Sequence, residues 1–422
     1  MRGKAFFITC LFIIFFIQAS GQSTELAKIT IDAGNYERDG TLINARFEGI
    51  DLDIANYQLV LYNVDKPAKK RIESQLDMHS GPILWWKLDE KLSAGKTATF
   101  SLRKEKKTID DTPVKVQVLN DHGNLVAKIG MKHVLQYNFM EAPLPEGIPG
   151  IYNRAGYIHP LWSPKGEVLT RIQPPDHYHH VGIWNPWTHT EYKGKMIDFW
   201  NLMEGQGTVR PNTIVSTISG DLFGGFRVIH DHIDLNGKTP NGFEVALKEE
   251  WDVRVWNVNE NSWLIDFIST MNCATDSALT IMEYRYQGFG FRATQKWDDQ
   301  TASILTSEGK NKADGNSTRA RWCDVNGVSA FGTSGILFIT HPSNYNYPEP
   351  IRIWPVGANQ GKENVFFNFN PAMDRDWMLK PGNDYQLKYR MYVYDGKIDQ
   401  ALAESLWADF THPPKVTIEI IE

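Results

Sequence analysis

The stretch FEVALKEEWDVRVWNV at positions 243–258 alternates apolar and polar residues over most of its length. A period of two predicts a β-strand that buries one of its faces. Similar runs occur at 226–235, 263–271, 278–291, 336–341, 365–369 and 385–394. A strand of about a dozen residues spans roughly 40 Å. These long runs together therefore predict a large, twisted antiparallel β-sandwich.

The earlier part of the chain, residues 27–126, shows shorter alternating runs separated by turn signals. No long amphipathic helix is apparent in that part, which predicts a small β-sandwich. A helical pattern occurs instead at 399–410, where Leu402, Leu406 and Phe410 are spaced four residues apart. One short helix is therefore expected near the C-terminus.

The sequence as a whole predicts an all-β protein with an N-terminal β-sandwich at 22–132 and a large antiparallel β-sandwich at 133–422. The composition agrees, because 12% of the 422 residues are aromatic and there are 33 Gly and 21 Pro. Aromatic residues favour strands, and glycine and proline favour turns. The net charge of -6 argues against nucleic acid or an anionic membrane as a partner.

The first 21 residues resemble a targeting segment, in which two basic residues precede an apolar run at 5–19. The run is shorter than the roughly 20 residues that a membrane span needs. Small residues up to Gly21 suit cleavage by a signal peptidase. We expect a periplasmic or secreted mature protein without a membrane span. In such a compartment Cys273 and Cys323 can form a disulfide or remain as two buried thiols.

Histidine is concentrated in one part of the chain, since five of the 12 histidines lie within 159–189. The centre of the cluster is PPDHYHHVGIW at 174–184. If this segment is extended, His177 and His179 point to one face and His180 to the other. Such imidazoles can act as acid and base near neutral pH, or His177 and His179 can hold a divalent metal. A third metal ligand at a known spacing is not visible.

A carboxylate follows the cluster in MIDFWN at 196–201, where Asp198 lies between apolar and aromatic residues. Burial would raise the pKa of this carboxyl group, whereas a nearby imidazolium would keep it ionised. Asp198 is therefore a candidate catalytic group. The alternative is an aspartate that stabilises a turn.

The third candidate motif is EYRYQGFGFR at 283–292. In an extended strand, Tyr284, Tyr286 and Arg292 share one face with the two glycines. Aromatic surface, open space and a guanidinium suit a sugar ring that carries a carboxylate. The alternative is a bulge at the glycines and a structural salt bridge at Arg292.

These motifs, taken in order, resemble the family of exported bacterial proteins labelled PmoA-like. The matching residues are Arg154, HPL at 159–161, DHYHHVGIW at 176–184, DFW at 198–200, GFGFR at 288–292, RW at 321–322, HPSN at 341–344, WP at 354–355 and LKPG at 379–382. Tyr178 and Val181 stand where that family usually has proline and arginine. The resemblance implies a β-supersandwich similar to the galactose-mutarotase-like folds of carbohydrate-handling proteins.

These observations together favour an exported carbohydrate-active enzyme over a non-catalytic glycan-binding protein, and a metal-dependent enzyme at the histidines is a third hypothesis. The substrate expected is an acidic, uronate-type sugar or another small molecule. Elimination, epimerisation and hydrolysis all remain open, and hydrolysis would need a second carboxylate beside Asp198. The candidate catalytic residues are His177, His179, His180 and Asp198. The candidate substrate-binding residues are Arg154, His159, Trp184, Trp200, Tyr286, Arg292 and His341.

We predict that the mature protein begins near Gln22, because the small residues that suit cleavage end at Gly21. The intact mass of protein isolated from its native host should lack residues 1–21. A mass that still includes those residues would contradict export by a cleaved signal.

Overall fold

The structure is a computed structural model that describes residues 23–50, 52–66, 70–79, 81–107, 112–240 and 242–421. The predicted signal peptide at 1–21 lies outside the described residues. Within them the regular structure is almost entirely β-strand, so the predicted all-β class is confirmed. No helix in these ranges has the length and apolar character needed to cross a membrane.

The first ten strands are β1 (Thr24–Asp32), β2 (Leu42–Arg46), β3 (Tyr57–Asn63), β4 (Lys70–Ile72), β5 (Ser74–Asp77), β6 (Ile83–Lys87), β7 (Thr97–Lys106), β8 (Val116–Asp121), β9 (Asn124–Ile129) and β10 (Lys132–Asn138). The next nine are β11 (Tyr157–Leu161), β12 (Ile183–Trp184), β13 (Thr190–Tyr192), β14 (Lys195–Ile197), β15 (Gly207–Ile218), β16 (Phe223–Thr239), β17 (Gly242–Trp256), β18 (Ser262–Cys273) and β19 (Leu279–Ile281). The last nine are β20 (Phe289–Arg292), β21 (Ala302–Thr306), β22 (Trp322–Ser329), β23 (Gly332–Thr340), β24 (Ile351–Ile353), β25 (Phe366–Phe369), β26 (Trp377–Leu379), β27 (Tyr385–Asp395) and β28 (Lys415–Ile420). The helices are α1 (Gln400–Thr411) and the 3-10 helices η1 (Gly150–Tyr152) and η2 (Ala358–Gly361).

These strands form antiparallel sheets of three to eight strands. The two large sheets have the orders β24-β25-β20-β12-β11-β10-β9-β8 and β15-β16-β17-β18-β27-β23-β22-β21. The smaller sheets are β28-β1-β7-β3-β4, β14-β13-β19-β26 and β2-β6-β5. Some paired strands are joined by a hairpin and others are distant in sequence, and the two large sheets form a sandwich.

The core of the large sandwich lies between its two eight-stranded sheets. Trp251, Val253 and Val255 of β17 are almost completely buried, in agreement with the period of two in the opening stretch. From the facing sheet, Phe289 places its ring 5.0 Å from that of Phe267 on β18. Burial of such aromatic and β-branched side chains is the main favourable contribution to folding.

A smaller core joins the five-stranded and three-stranded sheets at the start of the chain. Ile29 and Ile31 of β1, Phe100 of β7 and Trp86 of β6 belong to one buried cluster. The boundary predicted between 132 and 133 stays a prediction; in the large sheet β10 pairs with β9, and β9 pairs with β8. Strand β28 returns from the end of the chain and pairs with β1.

The prediction of a single strand at 278–291 is wrong, because this segment divides into β19 and β20, which belong to different sheets. Gly288 has a φ of 87°, a left-handed conformation that glycine tolerates and that turns the chain between them. Tyr284 and Tyr286 therefore precede the strand that carries Arg292 and do not alternate along it. Cys273 and Cys323 are both free thiols.

The predicted C-terminal helix is present as α1, with Asp399 as its N-cap accepting a hydrogen bond from the Leu402 N–H at 2.8 Å. The apolar residues expected on one side of this helix, Leu402, Leu406 and Phe410, are only partly buried. Leu402 is 36% exposed, whereas Ala403 is buried against the large sheet. On the same helix, Asp409 pairs with the buried Arg38 guanidinium at 2.8 Å.

We predict that Asp409→Ala lowers the free energy of unfolding by about 3 kcal/mol, because it leaves the buried Arg38 charge without its carboxylate. Urea titration of the purified variant measures this change. The matched control is Glu419→Gln, which removes an exposed ion pair with Lys28 and should cost less than about 1 kcal/mol. Equal effects of the two variants would contradict a stabilising role for the buried pair.

Candidate functional site

The histidine-rich segment forms two consecutive turns and is not extended. The His177 N–H donates to the Pro174 carbonyl at 2.9 Å, and the His180 N–H donates to the His177 carbonyl at 3.0 Å. The Gln173 N–H closes the loop on the His180 carbonyl at 2.7 Å. The prediction that His180 points away from His177 is therefore wrong, because turns bring residues three apart to one side. Their rings stack at 4.7 Å.

All three of these histidines, His177, His179 and His180, line one cavity of about 440 Å³. We call it the histidine cavity. Its remaining wall includes two arginines and three aromatic side chains, which are Arg285, Arg352, Tyr286, Trp354 and Phe366. Strands β24, β25 and β20 are neighbours at one edge of a large sheet. The ends of these strands and the loops beside them therefore build the cavity.

Asp176 orients the ring of His177. Its Oδ2 atom lies 3.0 Å from Nδ1 of His177 and accepts from Nη2 of Arg292 at 2.8 Å. Burial alone would raise the pKa of Asp176, but the contacts with His177 and Arg292 lower it to about 2. An ionised carboxylate can only accept, so Nδ1 of His177 carries the proton. In the neutral form of the ring, Nε2 is then the nitrogen that carries the lone pair.

The other two imidazoles of the cavity are held in the neutral form. Burial, together with the nearby charges of His177 and the arginines, lowers the pKa of His179 to about 3. His180 is 3% exposed, its ring stacks on Phe366 at 5.0 Å, and burial lowers its pKa well below the usual value. At neutral pH both rings can therefore give or accept a hydrogen bond without carrying charge.

The two arginines of the cavity, Arg285 and Arg352, provide its positive charge. Within the described ranges, neither Arg285 nor Arg352 forms an ion pair with an acidic side chain. Arg352 donates to Oδ1 of Asn316 at 3.1 Å, and its pKa is lowered by burial and by the positive charge of Arg285. The Arg285 guanidinium lies 5.6 Å from the ring centre of Tyr286. Two like charges that face one space favour an anion there.

Arg292 lies behind the cavity wall, with its side chain 0% exposed. Besides the contact with Asp176, its Nη2 donates to the Glu363 carbonyl at 2.8 Å, and its guanidinium lies 4.5 Å from the ring centre of Trp354. The guanidinium thus binds a carboxylate of the protein itself. This contact corresponds to the alternative given for Arg292, a structural salt bridge.

Asp198 lies apart from the histidine cavity and lines another cavity of about 240 Å³. Its Oδ1 accepts from the N–H groups of Trp200 at 2.7 Å and Asn201 at 2.8 Å. These bonds correspond to the predicted alternative, an aspartate that stabilises a turn. Asn201 also connects the two cavities, because its side chain donates to Asp198 at 2.6 Å and accepts from the Tyr286 hydroxyl at 3.1 Å.

Trp184, Trp200 and Arg154 form a buried layer beneath the histidines. The rings of Trp184 and Trp200 lie 4.9 Å apart, and Trp184 lies 5.2 Å from the ring of His180. A Cβ atom at Gly290 would be 3.1 Å from Trp200, so this glycine accommodates a tryptophan. Burial lowers the pKa of Arg154 to about 10, and its Nη1 reaches the Trp200 carbonyl at 3.4 Å.

Two predicted binding residues, His159 and His341, do not line the histidine cavity. The ring of His159 contacts Oγ1 of Thr170 at 2.8 Å, and burial lowers its pKa to about 4. His341 contacts Oγ of Ser343 at 2.8 Å and lies 5.2 Å from the ring of Phe410 on α1. The structure gives both of them structural partners.

Sequence reasoning missed Arg285, Arg352, Trp354 and Phe366 as residues of the site, although Trp354 belongs to the WP motif at 354–355. Arg285 lies within the quoted run 283–292, but strict alternation assigned it to the opposite face. No signal in the sequence distinguishes Arg352 or Phe366. In the part of the chain that the structure describes, no group of three or more His, Cys, Asp or Glu is arranged to hold a metal ion.

The fold and the site define an all-β protein with a cationic, aromatic cavity at one sheet edge. The chain belongs to a family of unknown function, DUF6807, whose family model matches residues 124–408. A family of unknown function does not test the resemblance to PmoA-like proteins, which stays a prediction. No curated protein matches the chain.

Two solved structures from Enterococcus faecalis are similar to the chain. One is an alpha-mannosidase from strain V583, with 9% identity and a TM-score of 0.46, covering 94% of this chain and 46% of the mannosidase. The other is a protein in glycosyl hydrolase family 38, with 8% identity and a TM-score of 0.43, covering 94% of this chain and 47% of that protein. The chain spans about half the length of these structures.

We predict that Arg292→Lys lowers the free energy of unfolding by about 1.5 to 3 kcal/mol, the usual loss for a hydrogen bond to a charged group. A lysine is a point charge and cannot bond Asp176 and the Glu363 carbonyl while stacking on Trp354. Urea titration checks this value, with the exposed Arg375→Lys as the matched control. Unchanged stability of Arg292→Lys would contradict its role as a structural cation.

Proposed function

We propose that the protein is a carbohydrate-active enzyme that removes the proton next to the carboxylate of an acidic sugar bound in the histidine cavity. One observation carries this proposal. An imidazole oriented by a carboxylate faces the same space as two arginines that have no acidic partner among the described residues. A base and an anion site are the two components that such a reaction needs.

The cavity suits a uronate-type sugar in size and chemistry. Its volume of about 440 Å³ lies within the usual range of about 300 to 1,000 Å³ for small-molecule sites. Arg285 and Arg352 each offer a planar set of donors that matches a carboxylate. The aromatic faces of Trp354 and Tyr286 can pack on the apolar face of a sugar ring.

His177 acts as the base in this proposal. The ionised Asp176 accepts from Nδ1, so Nε2 is the nitrogen that takes the proton from the carbon beside the carboxylate. The carbanion that develops is stabilised through the carboxylate, whose negative charge the two arginines bind. Asp176 acts through His177 and is a positioning residue, as in other sites where a carboxylate orients an imidazole.

The electron pair of the broken C–H bond has two productive fates. In elimination it forms a C=C double bond to the next carbon, whose C–O bond breaks, and the leaving oxygen takes up the proton that His177 removed. In epimerisation the carbanion takes a proton from water on the opposite face, His177 releases its proton to water, and no other bond breaks. Elimination gives an unsaturated product, as a lyase does. Epimerisation gives a product with the same mass as the substrate.

The cavity favours these reactions over glycoside hydrolysis by paired carboxylates. That mechanism uses two Asp or Glu side chains that flank the glycosidic bond. Among the described residues that line the histidine cavity, none is an Asp or Glu. The second candidate function is a non-catalytic glycan-binding protein. The arginines and aromatic rings of the cavity suit glycan binding without any reaction.

We predict that incubation in D₂O with uronate-containing oligosaccharides gives deuterium next to the carboxylate or an unsaturated product, and that neutral oligosaccharides remain unchanged. Mass spectrometry and NMR detect both outcomes. His177→Gln should lower the rate at least about 100-fold through loss of the base. Arg352→Gln should weaken binding about tenfold to hundredfold.

His122→Gln is the matched control, because this side chain is 96% exposed and its variant should match the wild type. Binding of uronates without exchange or new products would assign the protein to the glycan-binding class. Cleavage of neutral chains with uptake of water would contradict the proposed reaction.

A further inference from the structure

A second cavity adjoins the histidine cavity at Arg285. It has a volume of about 750 Å³ and includes Tyr284, Arg285, Ser317 and Met373 in its lining. Arg285 lines both cavities and is exposed. Its guanidinium lies over two neighbouring aromatic rings, 5.7 Å from the centre of Tyr284 and 5.6 Å from that of Tyr286. We call this space the outer cavity.

Strand β24 connects the two cavities along one face. Pro350 immediately precedes the strand and lines the outer cavity, whereas Arg352 and Trp354 line the histidine cavity. Residues two apart in a strand lie on one face, about 6.6 Å apart. The floor therefore continues from one cavity into the other over a short distance. Tyr284 likewise lines the outer cavity and Tyr286 the histidine cavity.

The chemistry of the outer cavity differs from that of the histidine cavity. Arg319 pairs with Asp374 there and also donates to the Pro348 carbonyl at 2.7 Å, so its charge is compensated and its position held. Glu283 and Ser317 add exposed or half-buried oxygen atoms. Carboxylates, a hydroxyl and an aromatic ring suit the hydroxyl groups and the apolar face of a sugar unit that need not carry charge.

We infer that the ligand is a chain of linked sugar units. The acidic unit occupies the histidine cavity, and the next unit crosses Arg285 and binds in the outer cavity. This inference rests on the proposed function and extends it, since it assigns an oligosaccharide to a site that a single uronate would fill only in part. Arg285 then contacts two adjacent units, with its charge toward the acidic one.

The test measures affinity as a function of chain length by calorimetry, using monomer to tetramer of the uronate series that binds in the preceding experiment. The series to be used are galacturonate, glucuronate and mannuronate oligomers. We expect the dissociation constant to fall at least about tenfold from monomer to trimer, because the second unit adds its own contacts. The monomer should bind through the histidine cavity alone.

Two variants fill the outer cavity from different sides. Met373→Trp and Glu283→Trp should each reduce the gain with chain length to less than about threefold and leave monomer affinity unchanged. Glu283 is exposed, so its variant keeps the test valid if Met373→Trp fails to fold. The matched control is Met131→Trp, which is 94% exposed outside both cavities and should keep the full gain.

The possible results separate this inference from the proposed function. Equal affinity for all chain lengths in the wild type would overturn the outer site and leave a single-uronate enzyme. A gain with length that survives both tryptophan variants would also overturn the outer site. Absence of binding for every length in every series would overturn the proposed function and this inference together.

Discussion

The hydrogen-bonded pair of Arg292 and Asp176 fixes the histidine loop to the sheet. The main chain of Arg292 already holds both ends of that loop, since its N–H donates to the Gly182 carbonyl at 2.8 Å and its carbonyl accepts from Arg171 at 3.1 Å. The side chain then holds the middle through Asp176. Because Asp176 in turn orients His177, one buried guanidinium determines the direction of the proposed base. An unpaired charge at this depth would be strongly destabilising.

The loop that carries the histidines packs on the tryptophan layer beneath it. Trp184 follows the loop directly, Trp200 packs against it, and Gly290 leaves the space that Trp200 occupies. Aromatic packing of this kind is dense and tolerates little displacement. The three histidines of the cavity therefore lie on turns, which give them access, above a layer that supports their positions.

The period of two predicted the long strands well, because alternation in 243–258 reflects burial on one face only. The same rule failed in 174–184 and 278–291. Two prolines and Asp176 favour turns in the first segment, and the left-handed Gly288 interrupts the second. Motif spacing found the histidines and Tyr286. It could not find Arg352, or the pairing of Arg292 with a carboxylate 116 residues earlier, since only the tertiary fold brings such residues together.

The pairing of β28 with β1 has a consequence for how the chain acquires its fold during synthesis. Strand β1 leaves the ribosome early, but one of its edges stays open until the last strand emerges. The contact between Arg38 and Asp409, which are 371 residues apart, also forms late, because Asp409 is synthesised long after Arg38. Closing so long a loop has a high entropic cost and slows folding. The five-stranded sheet is therefore complete only after β28 has emerged, and until then the open edge of β1 is available for unwanted strand pairing.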